Sequence, residues 1–341
     1  MPAATYIGNS TINIVESSQR PPAPGEVQID VAFTGICGTD LHILHGNMDS
    51  RVTFPAIIGH EMSGRISALG EGVSGWSIGD PVTVMPLDWC GDCPACKAGH
   101  QHICQNLNFI GIDSAGSLQK QWNVPETVLV RLPESLRLDH AALVEPVAVS
   151  VHDVRRADIQ PGEKAVVIGG GPIGVLIATT ARHAGAEVVV LELDGDRRAM
   201  IQELGFEVLD PRTQDQVEWV NTWTGGAGAD VVFEVSGAAA AVLGATALAK
   251  VRGRLVIVAI HPQPRPVDLQ RVFWRELTLV GARVYERRDF ETAVELLAAG
   301  IIPADQMITG TVPLERTADA FSRLAAGDAM KILVDCQAVP A

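Results

Sequence analysis

Residues 164–192, KAVVIGGGPIGVLIATTARHAGAEVVVLE, decide the fold of the second half of the chain. The apolar run AVVI meets three glycines and is followed by a helix-like stretch, which predicts a buried strand that feeds a helix. Gly169, Gly171 and Gly174 form the pattern G-x-G-x-x-G, which also contains Pro172 and Ile173. Backbone N–H groups and a helix N-terminus can face a pyrophosphate there, so the pattern predicts a dinucleotide site. The alternative is an ordinary tight turn between strand and helix.

The next apolar run, VVVL, ends at Glu192, 21 residues after Gly171. A carboxylate in this position can accept hydrogen bonds from the adenosine ribose hydroxyls, which favours NAD over NADP. Arg197 and Arg198 complicate this choice, since a nearby arginine can accommodate a 2′-phosphate. Their other interpretation is a solvated helix face. We expect NAD, because Glu192 would repel the phosphate.

The run VVVL is the first of five apolar strand candidates that come after the first strand and are separated by helical stretches. They lie at residues 188–191, 206–209, 231–235, 254–259 and 277–281. Together with the first strand they predict a doubly wound parallel α/β sheet. After Gly281 the pattern changes to an amphipathic helix and a late strand, MKILVDC, which we expect to return to the first domain.

The first part of the chain has the period of a half-buried β-strand. The alternation places Val27, Ile29, Val31 and Phe33 on the inward face, with their neighbours outward. Short strands and Gly/Pro turns continue to about residue 150, which predicts a β-rich barrel or sandwich. The predicted domains are residues 1–150, completed by 286–341, and residues 151–285.

Composition and charge exclude several classes of protein. The 341 residues include 26 Lys and Arg against 40 Asp and Glu, a formal charge of −14 that would repel a phosphate backbone. The N-terminus lacks the basic and apolar regions of a secretory signal. The longest weakly polar run, 238–249, is shorter than the about 20 apolar residues that a span requires. We therefore expect no nucleic-acid partner, no membrane span and a cytoplasmic location.

Four of the six cysteines are crowded into one short segment. Cys90, Cys93, Cys96 and Cys104 have the spacing C-x2-C-x2-C-x7-C, which suits a closed, structural tetrahedral zinc site. An iron–sulfur cluster is the alternative, but its pattern has a shorter last gap followed by proline. Disulfides are disfavoured in a reducing compartment.

A second set of possible metal ligands is dispersed: Cys37 in GICGTDLH, His60 and Glu61 in GHE, and Glu145 in VEP. A thiolate, an imidazole and a carboxylate match a catalytic zinc site with one open position. Spacing alone does not identify such a site. A lone cysteine is more often a small buried hydrophobe, and a lone histidine a satisfied polar residue.

The motifs GICGTDLH, GHEMSG, the four-cysteine loop, VEP and GGGPIG, in this order, resemble the zinc-dependent medium-chain alcohol dehydrogenase family along essentially the whole chain. The resemblance implies a GroES-like catalytic domain and a Rossmann domain, with the active site in the cleft between them. It also implies two zinc ions per chain, one catalytic and one structural. The Glu-Pro form at Glu145 places the chain nearer the polyol, 2,3-butanediol and threonine dehydrogenases.

The resemblance also implies roles for individual residues. Cys37 and His60 look like catalytic zinc ligands, Glu145 occupies the position of the third ligand, and Glu61 looks like an exchangeable ligand. Asp40 looks like the partner that orients His60. Thr39 resembles the hydroxyl that takes the alcohol proton, and His42 the outer end of the relay to solvent. Lys331 is expected either to reach the cofactor pyrophosphate or to be solvated.

The function expected from this resemblance is zinc-dependent, reversible hydride transfer between NAD and a secondary alcohol, diol or polyol. L-Threonine 3-dehydrogenase is the alternative. A nucleotide-binding protein that has lost the chemistry is a second alternative. By analogy with the family, we expect a homotetramer, with a dimer as the other possibility.

Overall fold

A computed structural model describes residues 1–18 and 20–338 of the chain. Its backbone divides into two compact units. Unit 1 comprises Met1–Pro146, Glu286–Gly300 and Ala304–Ala341, and unit 2 comprises Val147–Tyr285 and Ile301–Pro303. Among the described residues, no helix has the length and apolar character needed to cross a membrane.

Among the described residues, the strands in chain order are β1 (Pro2–Tyr6), β2 (Ile12–Glu16), β3 (Glu26–Gly35), β4 (Ala56–Ile57), β5 (Glu61–Leu69), β6 (Pro81–Val84), β7 (Leu87–Asp88), β8 (Asn108–Phe109), β9 (Gln121–Pro125), β10 (Leu129–Arg131), β11 (Lys164–Ile168), β12 (Glu187–Leu191), β13 (Glu207–Leu209), β14 (Ala229–Glu234), β15 (Ala249–Ile257), β16 (Thr278–Gly281), β17 (Ile308–Pro313) and β18 (Lys331–Asp335). The α-helices are α1 (Gly38–Leu44), α2 (Pro94–Lys97), α3 (Leu138–Ala141), α4 (Val144–Ala157), α5 (Pro172–His183), α6 (Gly195–Glu203), α7 (Gln216–Trp223), α8 (Ala239–Leu248), α9 (Leu269–Arg275), α10 (Arg287–Ala298), α11 (Ala304–Met307) and α12 (Thr317–Ala326). Short 3-10 helices cover Gln101–Ile103, Glu126–Val128 and Leu314–Arg316.

Unit 2 is built on a parallel sheet with the strand order β13-β12-β11-β14-β15-β16. Its inner strands are apolar on both faces, as expected of a parallel sheet covered by helices. The core contains Val166, Val189, Val232 and Leu255, all fully buried. The predicted doubly wound sheet is therefore confirmed. The strand predicted at 254–259 begins earlier, because the more polar stretch from Ala249 already pairs with β14.

Unit 1 contains a mixed sheet with the strand order β10-β6-β5-β3-β18-β17, with β9 also paired to β3. Val27, Ile29 and Val31 point inward along β3, as predicted, but Phe33 is only half-buried and Thr34 is buried instead. The pairing of β3 with β5 shifts between Val31 and Phe33. An irregularity of this kind re-aims the side chains that follow it, which the simple alternation could not predict.

The register of this sheet brings three strand ends together around Gly35. Antiparallel pairing places Glu61, at the start of β5, opposite Gly35 at the end of β3. On the other side of β3, Leu333 of β18 also pairs with Gly35. Cys37, just beyond β3, and Lys331, at the start of β18, therefore lie beside Glu61.

Candidate metal and nucleotide sites

Cys37 lies between the end of β3 and the start of α1, where it is the N-cap residue of the helix. Its sulfur accepts a hydrogen bond from the Thr39 amide over 3.5 Å. The carboxylate of Asp40 accepts a hydrogen bond from the Cys37 amide over 2.9 Å. This reciprocal cap satisfies two helix-end donors and holds the thiol in one orientation.

His60 is buried immediately before β5, with its ring edge-on to Phe109. Its Nδ1 lies 3.6 Å from Oδ1 of Asp40, so this carboxylate faces one ring nitrogen and leaves Nε2 for a ligand role. Burial lowers the pKa of His60, but the charges of Asp40, Cys37 and Glu145 outweigh burial and raise that pKa well above its ordinary value. The site thus favours a cation at this position, whether a proton or a metal.

Glu61 is buried and forms an ion pair with Lys331, whose Nζ lies 2.8 and 2.6 Å from the two carboxylate oxygens. The same Nζ also donates to the Ile36 carbonyl over 3.1 Å. A Cβ at Gly35 would lie 2.3 Å from a Glu61 oxygen, so a side chain at this position would displace the Glu61 carboxylate. The solvated alternative for Lys331 is wrong, because the lysine is 3% exposed.

The sulfur of Cys37, a ring nitrogen of His60 and an oxygen of Glu61 lie within 4.8 Å of one another. Glu145, in the first turn of α4, is also buried, and its charge contributes to raising the pKa of both His60 and Lys331. Glu145 therefore lies within electrostatic reach of the cluster, although it is not one of these three closely grouped residues. Soft sulfur, imidazole and carboxylate donors fit zinc with an open coordination position.

Thr39 and His42 both lie on α1, three residues apart, and residues with this spacing share a helix face. Thr39 is half-buried beside Cys37, whereas His42 is exposed in the last turn. Nδ1 of His42 lies 3.4 Å from the side-chain amide of Asn47. The helix thus leads from the buried cluster to solvent.

The second metal-type cluster consists of Cys90, Cys93, Cys96 and Cys104, whose sulfur atoms lie within 4.8 Å of one another. The loop turns around α2, where Cys93 is the N-cap and Pro94 opens the helix. All six cysteines, which are among the described residues, are free thiols. Four convergent sulfurs leave no position for a substrate, so the cluster fits a closed zinc site.

Backbone amides prepare this loop for a cation. The amides of Cys96 and Gln105 donate to the Cys93 sulfur and lower the pKa of Cys93 to about 6. The Asn106 amide donates to the Cys104 sulfur over 3.3 Å. Such donors stabilise thiolates, which are the form that binds metal.

In unit 2, the glycine pattern lies between β11 and α5. Gly171 is the N-cap of α5, and no side chain in the described part of the chain caps the first amides of that helix. A Cβ at Gly174 would lie 1.9 Å from the carbonyl oxygen of Gly169, so only glycine lets the helix approach the strand this closely. Pro172 and Ile173 form the first helical residues. The geometry suits an anion at the helix N-terminus.

Glu192 follows β12 at the carboxyl edge of the sheet. Its carboxylate accepts the Gly170 amide over 2.7 Å and the Asp194 amide over 2.8 Å. The Arg197 guanidinium lies 3.8 Å from the position of a Cβ on Gly171, next to the glycine loop. The acid and the loop predicted to hold a dinucleotide are therefore in direct contact.

Family models agree with both units. Residues 23–134 match the alcohol dehydrogenase GroES-like domain, and residues 172–299 match a model described as zinc-binding dehydrogenase. A curated relative, 2-dehydro-3-deoxy-L-galactonate 5-dehydrogenase of Pseudoalteromonas atlantica, is 50% identical over 337 residues, which cover 98% of this chain and 99% of the relative.

Solved structures support the same assignment. The 2R,3R-butanediol dehydrogenase of Bacillus subtilis has a TM-score of 0.90 at 31% identity, covering 98% of this chain and 99% of that one. A zinc-binding dehydrogenase from Sinorhizobium meliloti bound to NADP has a TM-score of 0.93 at 32% identity, covering 98% of each chain. The chain belongs to the zinc-dependent medium-chain alcohol dehydrogenase family and is an oxidoreductase that transfers a hydride reversibly between a nicotinamide cofactor and an alcohol, diol or polyol.

Proposed function

We propose that the substrate is an open-chain polyhydroxy acid, oxidised at a secondary hydroxyl group with NAD as the hydride acceptor. The observation that carries the chemistry is the cluster of half-buried Cys37 with buried His60 and Glu61, with Asp40 beside the histidine. The substrate class is supported by the relative that is 50% identical and named for a sugar acid. The relatives described above give no support to the threonine alternative.

Cys37, His60 and one glutamate would hold the catalytic zinc. Zinc bound there supplies Lewis acidity, which lowers the pKa of an alcohol and favours departure of a hydride from its carbon. Lys331 engages both oxygens of Glu61 and so competes for that carboxylate. We therefore assign Glu145 as the resting ligand and Glu61 as the ligand that exchanges.

Thr39 would accept the substrate hydroxyl proton, because it follows Cys37 on α1 and is half-buried. His42, on the same helix face and exposed, would exchange this proton with solvent. Thr39 would release its own hydroxyl proton as it accepts this one, and Thr39 and His42 are proposed as the inner and outer ends of the proton path. Thr39 orients the reacting hydroxyl, and His42 acts as the acid or base at the outer end.

NAD is the proposed cofactor because Glu192 lies at the carboxyl edge of β12, where a carboxylate pairs with ribose hydroxyls and repels a 2′-phosphate. Gly169, Gly171 and Gly174 form the loop for the pyrophosphate, with Arg197 beside it. The S. meliloti relative is bound to NADP, so cofactor preference is a property to measure here.

The experiment is a set of initial-rate measurements with NAD⁺ and NADP⁺. Galactonate-type and 2-keto-3-deoxy acids are compared with the matched alditol that lacks the carboxylate, with 2,3-butanediol and with L-threonine, each with and without a zinc chelator. Chelator-sensitive NAD⁺ reduction that is fastest with a sugar acid supports the proposal. Preference for the alditol would overturn the substrate class, and preference for threonine would restore the alternative.

We also propose that the chain forms a homo-oligomer through unit 2. Strand β16 is the edge of the parallel sheet and is partly exposed. Beside it in sequence, α9 exposes Phe273 and Trp274, each 73% accessible. An unpaired edge next to large exposed apolar side chains is typical of a surface covered by another chain. Light scattering after size exclusion distinguishes the expected tetramer from a dimer, and a Trp274→Lys variant should shift the equilibrium toward smaller species.

A further inference from the structure

Asp210, an acidic residue beside the nucleotide site, forms ion pairs with two arginines that could otherwise bind phosphate. Asp210 follows β13, and Leu209 of that strand pairs with Leu191 at the end of β12. The Glu192 amide donates to the Leu209 carbonyl over 3.0 Å. Asp210 and Glu192 are therefore neighbours at the carboxyl edge of the sheet, where a parallel sheet of this order binds the adenosine ribose.

The two arginines approach Asp210 from different elements. Arg212 donates from Nη2 to Oδ2 over 2.8 Å and from Nε to Oδ1 over 3.0 Å. Arg198, on α6, places Nη1 3.2 Å from Oδ2. Hydrogen bonds from Arg212, together with the charges of both arginines, lower the pKa of Asp210 to about 2, so the carboxylate is ionised throughout the physiological range.

Both guanidinium groups also donate hydrogen bonds to backbone carbonyls at Glu192 and Leu193. Arg198 donates to the Glu192 carbonyl over 3.1 Å, and both arginines donate to the Leu193 carbonyl. The hydrogen bond and charge of Asp210 are the main causes that raise the pKa of Arg212, and the charges of Asp194 and Glu192 add to them. Arg212 is thus within electrostatic reach of the acid that would bind the ribose.

We propose that Asp210 is a specificity-determining residue, which neutralises Arg198 and Arg212 and holds them away from a 2′-phosphate, so that NAD is preferred over NADP. The inference rests on the nicotinamide cofactor and the NAD preference proposed above. Glu192 repels the phosphate directly. Asp210 acts through the arginines, because a guanidinium group can form bidentate hydrogen bonds with a phosphate.

The decisive variant is Asp210→Asn. Asparagine keeps an oxygen for the Arg212 backbone amide, which donates to Oδ1 over 3.0 Å, but it removes the negative charge. The ratio of kcat/KM for NADP⁺ to that for NAD⁺ should rise by about tenfold, because the charges of Arg198 and Arg212 are no longer neutralised and can attract the 2′-phosphate. A merely structural role for Asp210 would weaken both nucleotides alike and leave this ratio unchanged.

Two further variants complete the test. Asp196→Asn removes a charge from an exposed position on α6 that belongs to none of these contacts, so it controls for long-range electrostatics. Adding Arg198→Gln and Arg212→Gln to Asp210→Asn should abolish the gain for NADP⁺. A gain that persists without the arginines, or that Asp196→Asn reproduces, would overturn the proposal.

Isothermal titration calorimetry with NADH and NADPH separates this inference from the proposed function. If the wild type binds NADH and Asp210→Asn binds NADPH more tightly, the inference is supported. If the wild type binds NADH but the affinity ratio does not change in Asp210→Asn, only the inference fails. If the wild type prefers NADPH, or binds neither nucleotide, both the proposed cofactor and the role of Asp210 are wrong.

Discussion

The two cysteine-containing sites of unit 1 are built in opposite ways. Cys90, Cys93, Cys96 and Cys104 converge within one short loop, and local backbone amides donate to the sulfurs. Cys37 follows β3, whereas His60 and Glu61 lie at the start of β5, and the register of β3 and β5 brings them together. A local cluster closed by four sulfurs supports a fold, whereas a dispersed cluster with an open position can perform chemistry.

The largest expected effect is on activity, from Cys37→Ser. Serine retains an oxygen that can cap α1, but it replaces a thiolate ligand by a weak one. We expect kcat to fall by about a thousandfold or more, since the Lewis acid is lost, with little change in melting temperature. Initial rates and thermal melts measure both. Cys336→Ala, which alters a buried thiol outside both clusters, is the control and should keep most of the activity.

The second-largest expected effect is a loss of stability in Cys93→Ser, which alters the four-cysteine loop. Losing a structural zinc removes binding energy that is coupled to folding, so the melting temperature should fall by about 10 °C. The zinc of the Cys37 site should remain. An unchanged melting temperature would break the distinction between a site for stability and a site for chemistry.

A smaller effect is expected from Asp40→Asn, which sharpens the assignment of the dispersed site. Asparagine can still accept the Cys37 amide, but it no longer presents a carboxylate to Nδ1 of His60. Removing a partner of this kind lowers zinc affinity or activity by about 10- to 100-fold. Zinc affinity is measured by competition with a chelating dye. Wild-type affinity in this variant would show that Asp40 has only a capping role.

The smallest predicted effect is a pH dependence of zinc uptake by protein stripped of metal. Because the folded-state pKa of His60 lies above its ordinary value, the protonated form stabilises the metal-free protein at low pH, and this contribution is lost as pH rises through the raised pKa. Zinc must displace that proton, so affinity for the Cys37 site should increase with pH until His60 is deprotonated. Affinity that is flat between about pH 6 and pH 8 would contradict the raised pKa.

The sequence predicted the local features best. The glycine pattern, Glu192 and the four-cysteine spacing each lie within a short stretch, so the residues themselves carry the signal. The dispersed candidate ligands Cys37, His60, Glu61 and Glu145 could be predicted only from a family resemblance, because strand register is a property of the whole sheet. The irregularity between Val31 and Phe33, which leaves Phe33 half-buried and Thr34 buried, could not be predicted for the same reason.

The roles of Lys331 and Asp210 depend on contacts that are distant in the sequence or belong to no motif. A lysine that opens the apolar strand MKILV was a signal for a buried ion pair, but its partner Glu61 lies 270 residues away. Asp210 belongs to no sequence motif, and its proposed role follows only from its ion pairs with two arginines in the structure. Cytoplasmic location stays a prediction.

The most direct test of a catalytic zinc at Cys37 and a structural zinc in the four-cysteine loop is the zinc content per chain of three purified proteins, measured by elemental analysis together with the dehydrogenase rate. We expect about two zinc ions in the wild type, and about one in both Cys37→Ser and Cys93→Ser, with activity lost specifically in Cys37→Ser. One zinc in the wild type that survives Cys37→Ser would show that the dispersed cluster holds no zinc. Two zinc ions and full activity in Cys37→Ser would contradict the catalytic assignment itself.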